Sequence, residues 1–348
     1  MINKKLLAEI CKVAGAPGHE QRVREIVIKQ VKPLVDEIRI DNMGNVVAIK
    51  KGQERKKVMI AAHMDEIGFI VTHIDDQGFI YFHTLGGFDP KTLTAQRVII
   101  HGKKDVMGVM GSKPIHLMSA ADRTKVPTIK DYFIDTGMTK KELDKHVSVG
   151  DTITRDRSLV EMGDCLNCKS MDNRVSVFIL IEMLREMKNT PPYDVYAVFT
   201  VQEEIGIRGA NVSAMDINPD FGFGLDTTIA WDTPGSTKQE RVSALGEGAC
   251  IKVMDSSTVC DYRMVAYMKE VAKKKKIKTQ LEILPAGGTD TAGIQRMNPG
   301  GSIAGAVSIP TRHIHQVIEM VNKKDVRAAI DLLRNCVENL HSFDWNFK

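Results

Sequence analysis

Four short apolar runs place the strongest limit on how this chain of 348 residues can fold. They occupy residues 58–62, 195–201, 221–225 and 303–309. Continuous apolar runs of this length, rich in β-branched residues, are typical of strands that are covered on both faces of a sheet. Helical patterns accompany them at residues 173–187, 259–276 and 325–340. This arrangement predicts an α/β fold in which helices sandwich a mixed sheet.

Residues 68–163 show a different pattern. Short strands, separated by turn signals such as Asp75-Asp76-Gln77-Gly78, are predicted at residues 68–74, 79–83, 98–101 and 106–110. Little helical signal appears before Thr139. We therefore predict a small β-rich domain, barrel-like or PDZ-like, at residues 68–163. It would be inserted into a larger α/β domain formed by residues 1–67 and 164–348.

Composition is that of an ordinary globular protein, with 43% hydrophobic and 26% charged residues and a net charge of +4. The densest basic run, at residues 273–276, has no aromatic residues within it. This favours a solvated helix end over nucleic-acid binding. No uninterrupted apolar run approaches the roughly 20 residues of a membrane helix. Glu9 and Lys12 break the N-terminal apolar stretch, so no secretory signal is predicted.

Cysteine spacing gives no support for a structural metal site. Of the six cysteines, Cys165 and Cys168 form the one close pair. A structural zinc site needs a second pair, or histidines at ligand spacing, and neither is present. We predict reduced thiols in a cytoplasmic protein. We interpret Cys165 and Cys168 as structural residues and not as regulatory thiols.

Histidine or acidic residues lie beyond each apolar run, at the carboxyl ends where open α/β sheets bind ligands. One more acidic residue begins the helix predicted at residues 173–187. Imidazole and carboxylate groups without thiolates suit zinc, cobalt or manganese in a hydrolytic site. Two metals about 3.5–4 Å apart need a bridging carboxylate and further ligands on each side. The candidate ligands are His63, Asp172, Glu204, Asp226 and His313.

Each candidate also has an ordinary interpretation. A histidine after a strand is often a surface residue, and an aspartate at a helix start is usually a cap. Adjacent glutamates at a strand end are usually solvated. The occurrence of such residues at four strand ends favours a metal site over these separate explanations.

Two short pairs carry further information. His63 and Asp65 are two residues apart, so in an extended chain they face the same side. Asp65 could then accept the second imidazole N–H of His63 and fix its ring. Glu203 and Glu204 would face opposite sides unless the chain turns there. With such a turn, one could bind metal while the other moves a proton.

Five segments of the chain are specific when they are taken together. They are Ala62-His63-Met64-Asp65-Glu66-Ile67-Gly68, Ser170-Met171-Asp172-Asn173-Arg174, Val201-Gln202-Glu203-Glu204-Ile205-Gly206-Ile207-Arg208-Gly209-Ala210, Gly288-Thr289-Asp290 and Pro310-Thr311-Arg312-His313-Ile314-His315. In this order they resemble the M42 aminopeptidases, and the resemblance runs over nearly the whole chain.

The resemblance implies a role for each site residue. Asp172 would bridge two divalent metals, zinc or cobalt, with manganese as an alternative. One metal would be held by His63 and Asp226, and the other by Glu204 and His313. Glu203 would be the general base and acid, and Asp65 would orient His63.

The resemblance also implies a reaction and an assembly. A water that bridges the metals would attack the first peptide bond of short peptides with a free N-terminus. The larger part of the chain would be the metallopeptidase domain, and the β-rich insert would be a dimerisation domain. Dimers would assemble into a tetrahedral dodecamer, with no nucleic-acid or membrane partner.

The segment Gly288, Thr289 and Asp290 is predicted to line the substrate pocket, because glycine lets the backbone approach a ligand closely. An ordinary tight loop is the alternative.

Three other functions remain open from the sequence. A related two-metal deacylase or carboxypeptidase could use a similar fold. A glycosidase would need two carboxylates and no transition metal, which the histidines disfavour. A non-catalytic assembly protein is disfavoured because Glu203 and all five candidate ligands are present.

Overall fold

The computed structural model describes residues 2–347. Within them the α-helices are α1 (Lys4–Lys12), α2 (Gln21–Val31), α3 (Ala120–Thr124), α4 (Lys140–Leu143), α5 (Met171–Glu186), α6 (Arg208–Ile217), α7 (Tyr262–Lys275), α8 (Thr291–Arg296) and α9 (Lys323–Asn339). Short 3₁₀ helices occupy Pro90–Leu93, Ile115–Leu117, Ile129–Asp131 and Leu340–Ser342.

The β-strands of the same residues fall into a large sheet and a barrel. In chain order they are β1 (Glu37–Ile40), β2 (Val46–Lys50), β3 (Glu54–His63), β4 (Gly68–Ile74), β5 (Ile80–Leu85), β6 (Arg97–His101), β7 (Asp105–Ser112), β8 (Tyr132–Asp135), β9 (Thr152–Arg155), β10 (Val160–Met162), β11 (Cys165–Cys168), β12 (Tyr193–Thr200), β13 (Phe221–Ile229), β14 (Ala249–Met254), β15 (Thr279–Ile283), β16 (Ile303–Arg312) and β17 (Glu319–Asn322).

The large sheet is mixed and has 11 strands. Its order is β1-β2-β12-β3-β13-β16-β17-β11-β10, and β14 joins β16 to β15. The neighbours β12, β3, β13 and β16 run parallel to one another. These strands contain the four apolar runs, so their carboxyl ends meet at one edge of the sheet. The predicted α/β fold with a mixed sheet is confirmed.

Helices cover both faces of this sheet, as the alternation of side chains along β3 shows. Val58 and Ile60 pack into the core beneath α5, whereas Met59 and Ala61 pack into a second core on the opposite face, beneath α6. Helix α8 also lies on that second face, close to β13. A Cβ atom on Gly224 of β13 would lie 1.9 Å from Thr291 Oγ1, so glycine permits this close approach.

The β-rich insert is a closed barrel of strand order β4-β5-β8-β7-β6-β9. Alternate residues such as Phe69, Ile100 and Ile134 fill its separate core. Closure leaves the barrel no unpaired strand edge. The last barrel strand ends at Arg155, and β10 pairs with β11 in the large sheet. The barrel strands therefore end before residue 163, the predicted limit of the insert.

Helices α5, α7 and α9 correspond to the three predicted helices, with ends that differ by a few residues. The basic run at residues 273–276 is exposed at the C-terminal end of α7. In the described part of the chain, no helix combines the length and the apolar character that a membrane crossing requires.

Candidate active site

The parallel strands bring the candidate residues to one cavity of about 670 Å³. His63 is the last residue of β3, and Asp226 lies in the C-terminal half of β13. Glu203 and Glu204 follow the end of β12. All of these residues, together with Asp172, line the cavity. The ends of the parallel strands therefore bring these side chains together at one cavity.

One side of the site is centred on His63. Its Nε2 atom lies 3.3 Å from Asp172 Oδ1 and 3.8 Å from Asp226 Oδ1. The same atom lies 3.8 Å from Glu203 Oε2. The imidazole is 1% exposed, so these contacts are shielded from bulk water.

The other side of the site is centred on His315. Its Nε2 atom lies 3.5 Å from Asp172 Oδ2 and 3.4 Å from Glu204 Oε2. His313, the predicted ligand, also lines the cavity, but no ion pair among residues 2–347 joins it to these carboxylates. Of the two histidines, His315 is the one whose imidazole faces Asp172 and Glu204, so we propose it as the ligand in place of the predicted His313.

The sequence could not separate the two histidines because the strand ends before them. Strand β16 stops at Arg312, and beyond it His313 and His315 have φ values of 62° and 63°. The alternation of an extended strand does not apply to such left-handed residues. Which histidine turns inward is instead decided by contacts with distant residues.

Asp65 holds the segment that carries the two glutamates. Its Oδ1 and Oδ2 atoms accept hydrogen bonds from the backbone N–H groups of Glu203 and Glu204, both at 3.1 Å. These two bonds, with a left-handed Gln202, fix the turn that brings both glutamates to the cavity. The Nδ1 atom of His63 lies 3.1 Å from the backbone oxygen of Asp65 and 3.5 Å from its Oδ1 atom. Asp65 therefore contacts both His63 and the glutamate turn.

Crowding of carboxylates controls the protonation of this buried cluster. Burial raises the pKa of Glu203 well above its usual range, and the nearby Asp226 and Glu204 carboxylates add to this. Burial and Asp172 likewise raise the pKa of Asp226. Negative charge is therefore in excess around the cavity, and it raises the pKa of both Glu203 and Asp226.

The same carboxylates also raise the pKa values of the two imidazoles. Burial opposes the charge on His315, but Asp172 and Glu204 outweigh it and raise its pKa to about 11. Burial also opposes the charge on His63, yet the pKa of His63 is raised well above its usual value by Asp172 and Asp65. A bound cation would balance this excess negative charge.

The residues present fit a divalent metal. One nitrogen or oxygen atom from each of His63, Asp172 and Glu204 lies within 4.8 Å of the others. Glu204 Oε1 is buried and has no hydrogen-bond partner among the described residues. An unpaired buried carboxylate oxygen is costly unless a cation or a donor reaches it. Nitrogen and oxygen donors without sulfur are those of a hydrolytic metal site.

Comparison with known proteins agrees with this geometry. Residues 44–332 match the family model described as M42 glutamyl aminopeptidase. The chain belongs to the M42 family. Its members are aminopeptidases, so the protein is a peptidase of the hydrolase class.

Relatives of this M42 chain match it along almost their whole length. A lysyl aminopeptidase of Pyrococcus furiosus is 32% identical over 99% of both chains. The structure of a TET aminopeptidase from a marine-sediment archaeon of the Thaumarchaeota has a TM-score of 0.94 and 34% identity, covering 97% of this chain and 96% of that one.

A third relative bears on assembly. The TET1 peptidase of Pyrococcus horikoshii is described as able to assemble into a tetrahedron or a large octahedral shell. Its structure has a TM-score of 0.86 and 27% identity, covering 96% of this M42 chain and 98% of that chain.

The loop at residues 288–290 is only partly a cavity wall in this M42 chain. Gly288 and Thr289 line the cavity, whereas Asp290 is buried and is not among the lining residues. The Asp290 carboxylate accepts a hydrogen bond from Thr200 at the end of β12. Thr289 Oγ1 lies 3.1 Å from Asp255 Oδ2, within an ion pair that Asp255 makes with the buried Lys252.

Sequence reasoning missed Glu319, a buried carboxylate behind the site. It accepts hydrogen bonds from the backbone N–H groups of Asp172 and His315, both at 2.9 Å. Burial and the nearby Asp172 raise the pKa of Glu319 to about 8. Nothing in the spacing of the sequence distinguishes Glu319 from an ordinary acidic residue at a strand start.

Proposed function

We propose that this M42 chain removes the N-terminal residue of short peptides with the help of two divalent metal ions per subunit. Zinc or cobalt fits the donor set best, with manganese as a further candidate. The observation that carries the proposal is the position of Asp172. Its two carboxylate oxygens face two different imidazoles, Oδ1 at 3.3 Å from His63 and Oδ2 at 3.5 Å from His315.

Each imidazole has its own carboxylate neighbour, which suggests how the ligands would divide. His63 and Asp226 would hold one ion, and His315 and Glu204 the other, with Asp172 shared between them. This is the division that the family resemblance implied, with His315 in place of His313. When bound, the ions would polarise the scissile carbonyl and make an attacking water more acidic.

Glu203 would then move the proton. Its Oε2 atom lies at the cavity beside His63, and its pKa is raised by burial and neighbouring carboxylates. A general base works best when its pKa lies near the working pH. Glu203 would accept a proton from the water and pass it to the leaving amine. Asp65 would keep Glu203 in place through its backbone N–H.

Three wider properties are part of the proposal. The cavity of about 670 Å³ has room for a short peptide end. The chain would form dimers through the barrel and then a tetrahedral dodecamer, and the tetrahedron described for the Pyrococcus horikoshii relative supports the second step. Free thiols at all six cysteines support a reducing compartment such as the cytoplasm.

The test uses a panel of aminoacyl-p-nitroanilides and their N-acetylated counterparts. The protein is stripped with a chelator and then given zinc, cobalt or manganese. We expect cleavage of free-amine substrates only, and only after the metal is restored. Cleavage of the acetylated substrates alone would indicate a deacylase, and full activity without metal would contradict the proposal. The panel also ranks the N-terminal residues that the enzyme prefers.

A further inference from the structure

Glu319 connects two parts of the site that are far apart in the chain. It is the first residue of β17 and is 1% exposed. One carboxylate oxygen accepts the N–H of Asp172, and the other accepts the N–H of His315, each at 2.9 Å. Both of its oxygens are therefore used to hold backbone that carries a proposed metal ligand.

The position of β17 in the sheet explains how one side chain reaches both segments. Strand β17 pairs with β11 on one side and with β16 on the other. Glu319 lies opposite Cys168 of β11, and the chain passes from there into α5 and Asp172. The loop that contains His315 joins β16 to β17. The carboxylate thus lies between the two segments whose spacing it sets.

A second buried contact holds the backbone carbonyl of His315. Arg155, the last residue of the barrel strand β9, donates from Nη1 to the backbone oxygen of His315 at 3.2 Å. Its guanidinium lies over the ring of Phe88, 5.2 Å from the centroid, and the residue is 2% exposed. His315 is therefore held at its N–H by the large sheet and at its carbonyl by the barrel.

We infer that Glu319 is a positioning residue that sets the distance between Asp172 and His315, and with it the affinity of the metal bound between them. The inference rests on the proposed two-metal function. Groups that orient metal ligands in this way typically change metal affinity or activity by about 10- to 100-fold when they are altered. Glu319 itself need not touch metal or substrate.

The isosteric change Glu319→Gln isolates this role. Glutamine keeps one acceptor oxygen but replaces the other with an NH₂ group, which cannot accept a backbone N–H. One of the two segments then faces a donor instead of an acceptor and has to move. The change keeps the volume of the side chain, so packing in the core is largely preserved.

Asp325→Asn is a matched control. Asp325 is also fully buried, and its two oxygens accept the N–H groups of Gly246 and Gly248 at 2.7 and 2.8 Å. None of these three residues lines the cavity. The control removes the same kind of bond, so it should lower stability without changing metal binding.

The experiment titrates metal-free protein with Co²⁺ and follows binding by calorimetry and by the visible absorption of the bound ion. Wild-type protein should bind two equivalents. In Glu319→Gln, one equivalent should bind about 10- to 100-fold more weakly. It should be the same equivalent that His315→Ala removes. Asp325→Asn should match the wild type in both affinities.

Each contrary result has a distinct meaning. Unchanged affinities in Glu319→Gln, or an equal loss in Asp325→Asn, would overturn the role of Glu319 while leaving the proposed function intact. Wild-type protein that binds no Co²⁺ would instead overturn the proposed function and this inference with it. If Glu319→Gln does not fold, Glu319→Asp replaces it. That variant keeps both oxygens on a shorter side chain. Weaker binding of one Co²⁺ equivalent would support the role of Glu319, and unchanged binding would overturn it.

Discussion

The two sides of the active site are held by buried carboxylates that work in different ways. Asp65 binds the N–H groups of Glu203 and Glu204, which are consecutive residues of one turn. Glu319 binds the N–H groups of Asp172 and His315, which belong to separate segments. On the first side a single turn is held by Asp65, which lies 138 residues earlier in the chain than Glu203. On the second side the geometry depends on how α5 and the end of β16 are placed relative to each other.

This difference suggests that the Asp65 side controls proton transfer and the Glu319 side controls metal affinity. Glu203, the proposed general base, lies on the turn that Asp65 holds. The proposed ligands Asp172 and His315 depend on Glu319. The two sides can therefore be separated by measurements that distinguish turnover from metal binding.

The largest effect is expected for Glu203→Gln. Loss of the proposed base should lower kcat by about 10²- to 10⁴-fold, because proton transfer typically contributes that much. Both metal equivalents should still bind. The measurement is kcat on the best p-nitroanilide together with metal content.

A control for this variant is available in the same chain. Glu182→Gln changes a glutamate on α5 whose side chain is 12% exposed, against 11% for Glu203. It should keep wild-type turnover. A Glu203→Gln protein as active as this control would remove Glu203 from the mechanism.

The next effect distinguishes the two histidines of the second side. His315→Ala should lower the bound metal from two equivalents to one, since its imidazole faces Asp172 and Glu204. His313→Ala should keep both equivalents. Metal analysis after dialysis measures the difference. Loss of metal in His313→Ala alone would restore the original choice of ligand.

A smaller effect is expected for Asp65→Asn, the counterpart of Glu319→Gln. One N–H of the glutamate turn loses its acceptor, so kcat should fall by about 10- to 100-fold. Because Asp65 also contacts His63, some loss of metal affinity is expected at the His63 side, but less than Glu319→Gln causes at the other. A variant that loses metal from the His315 side would show that the two sides are not independent.

The smallest effect concerns pH. Against the effect of burial, Asp172 and Glu204 raise the pKa of His315 to about 11, and Asp172 and Asp65 raise that of His63, so protons compete with a metal ion for these imidazoles. A metal ligand must be a neutral imidazole, so binding should release protons and become tighter as the pH rises. Calorimetry in buffers of different ionisation enthalpy measures the release. Binding heats that do not depend on the buffer would contradict it.

The sequence predicted the features that depend on one segment of chain. The parallel strands β12, β3, β13 and β16 appeared as apolar runs, and His63 and Asp226 could be placed from their ends. The turn at Glu203 was also foreseeable, because adjacent residues of an extended chain cannot face one site. The β-rich insert was visible from its turn signals, and a barrel was one of the two shapes predicted for it.

The features that escaped prediction depend on contacts across the chain. Asp172 and Glu319 are 147 residues apart, and Arg155 is 160 residues from the carbonyl of His315 that it binds. No local pattern records such contacts. The same holds for His313 and His315, which are chemically identical and two residues apart. Their environment in the folded chain decides which one faces the carboxylates.

The barrel has a consequence for engineering that follows from its closed hydrogen bonding. A module without free edges can be exchanged between relatives as a unit, with junctions just before Gly68 and just after Arg155. The first junction lies only a few residues beyond His63. At the second junction Arg155 donates to the backbone oxygen of His315, so a foreign barrel would have to provide the same contact. Chimeras that differ only at the residue equivalent to Arg155 would show how strongly a transplanted barrel affects the activity of the catalytic domain.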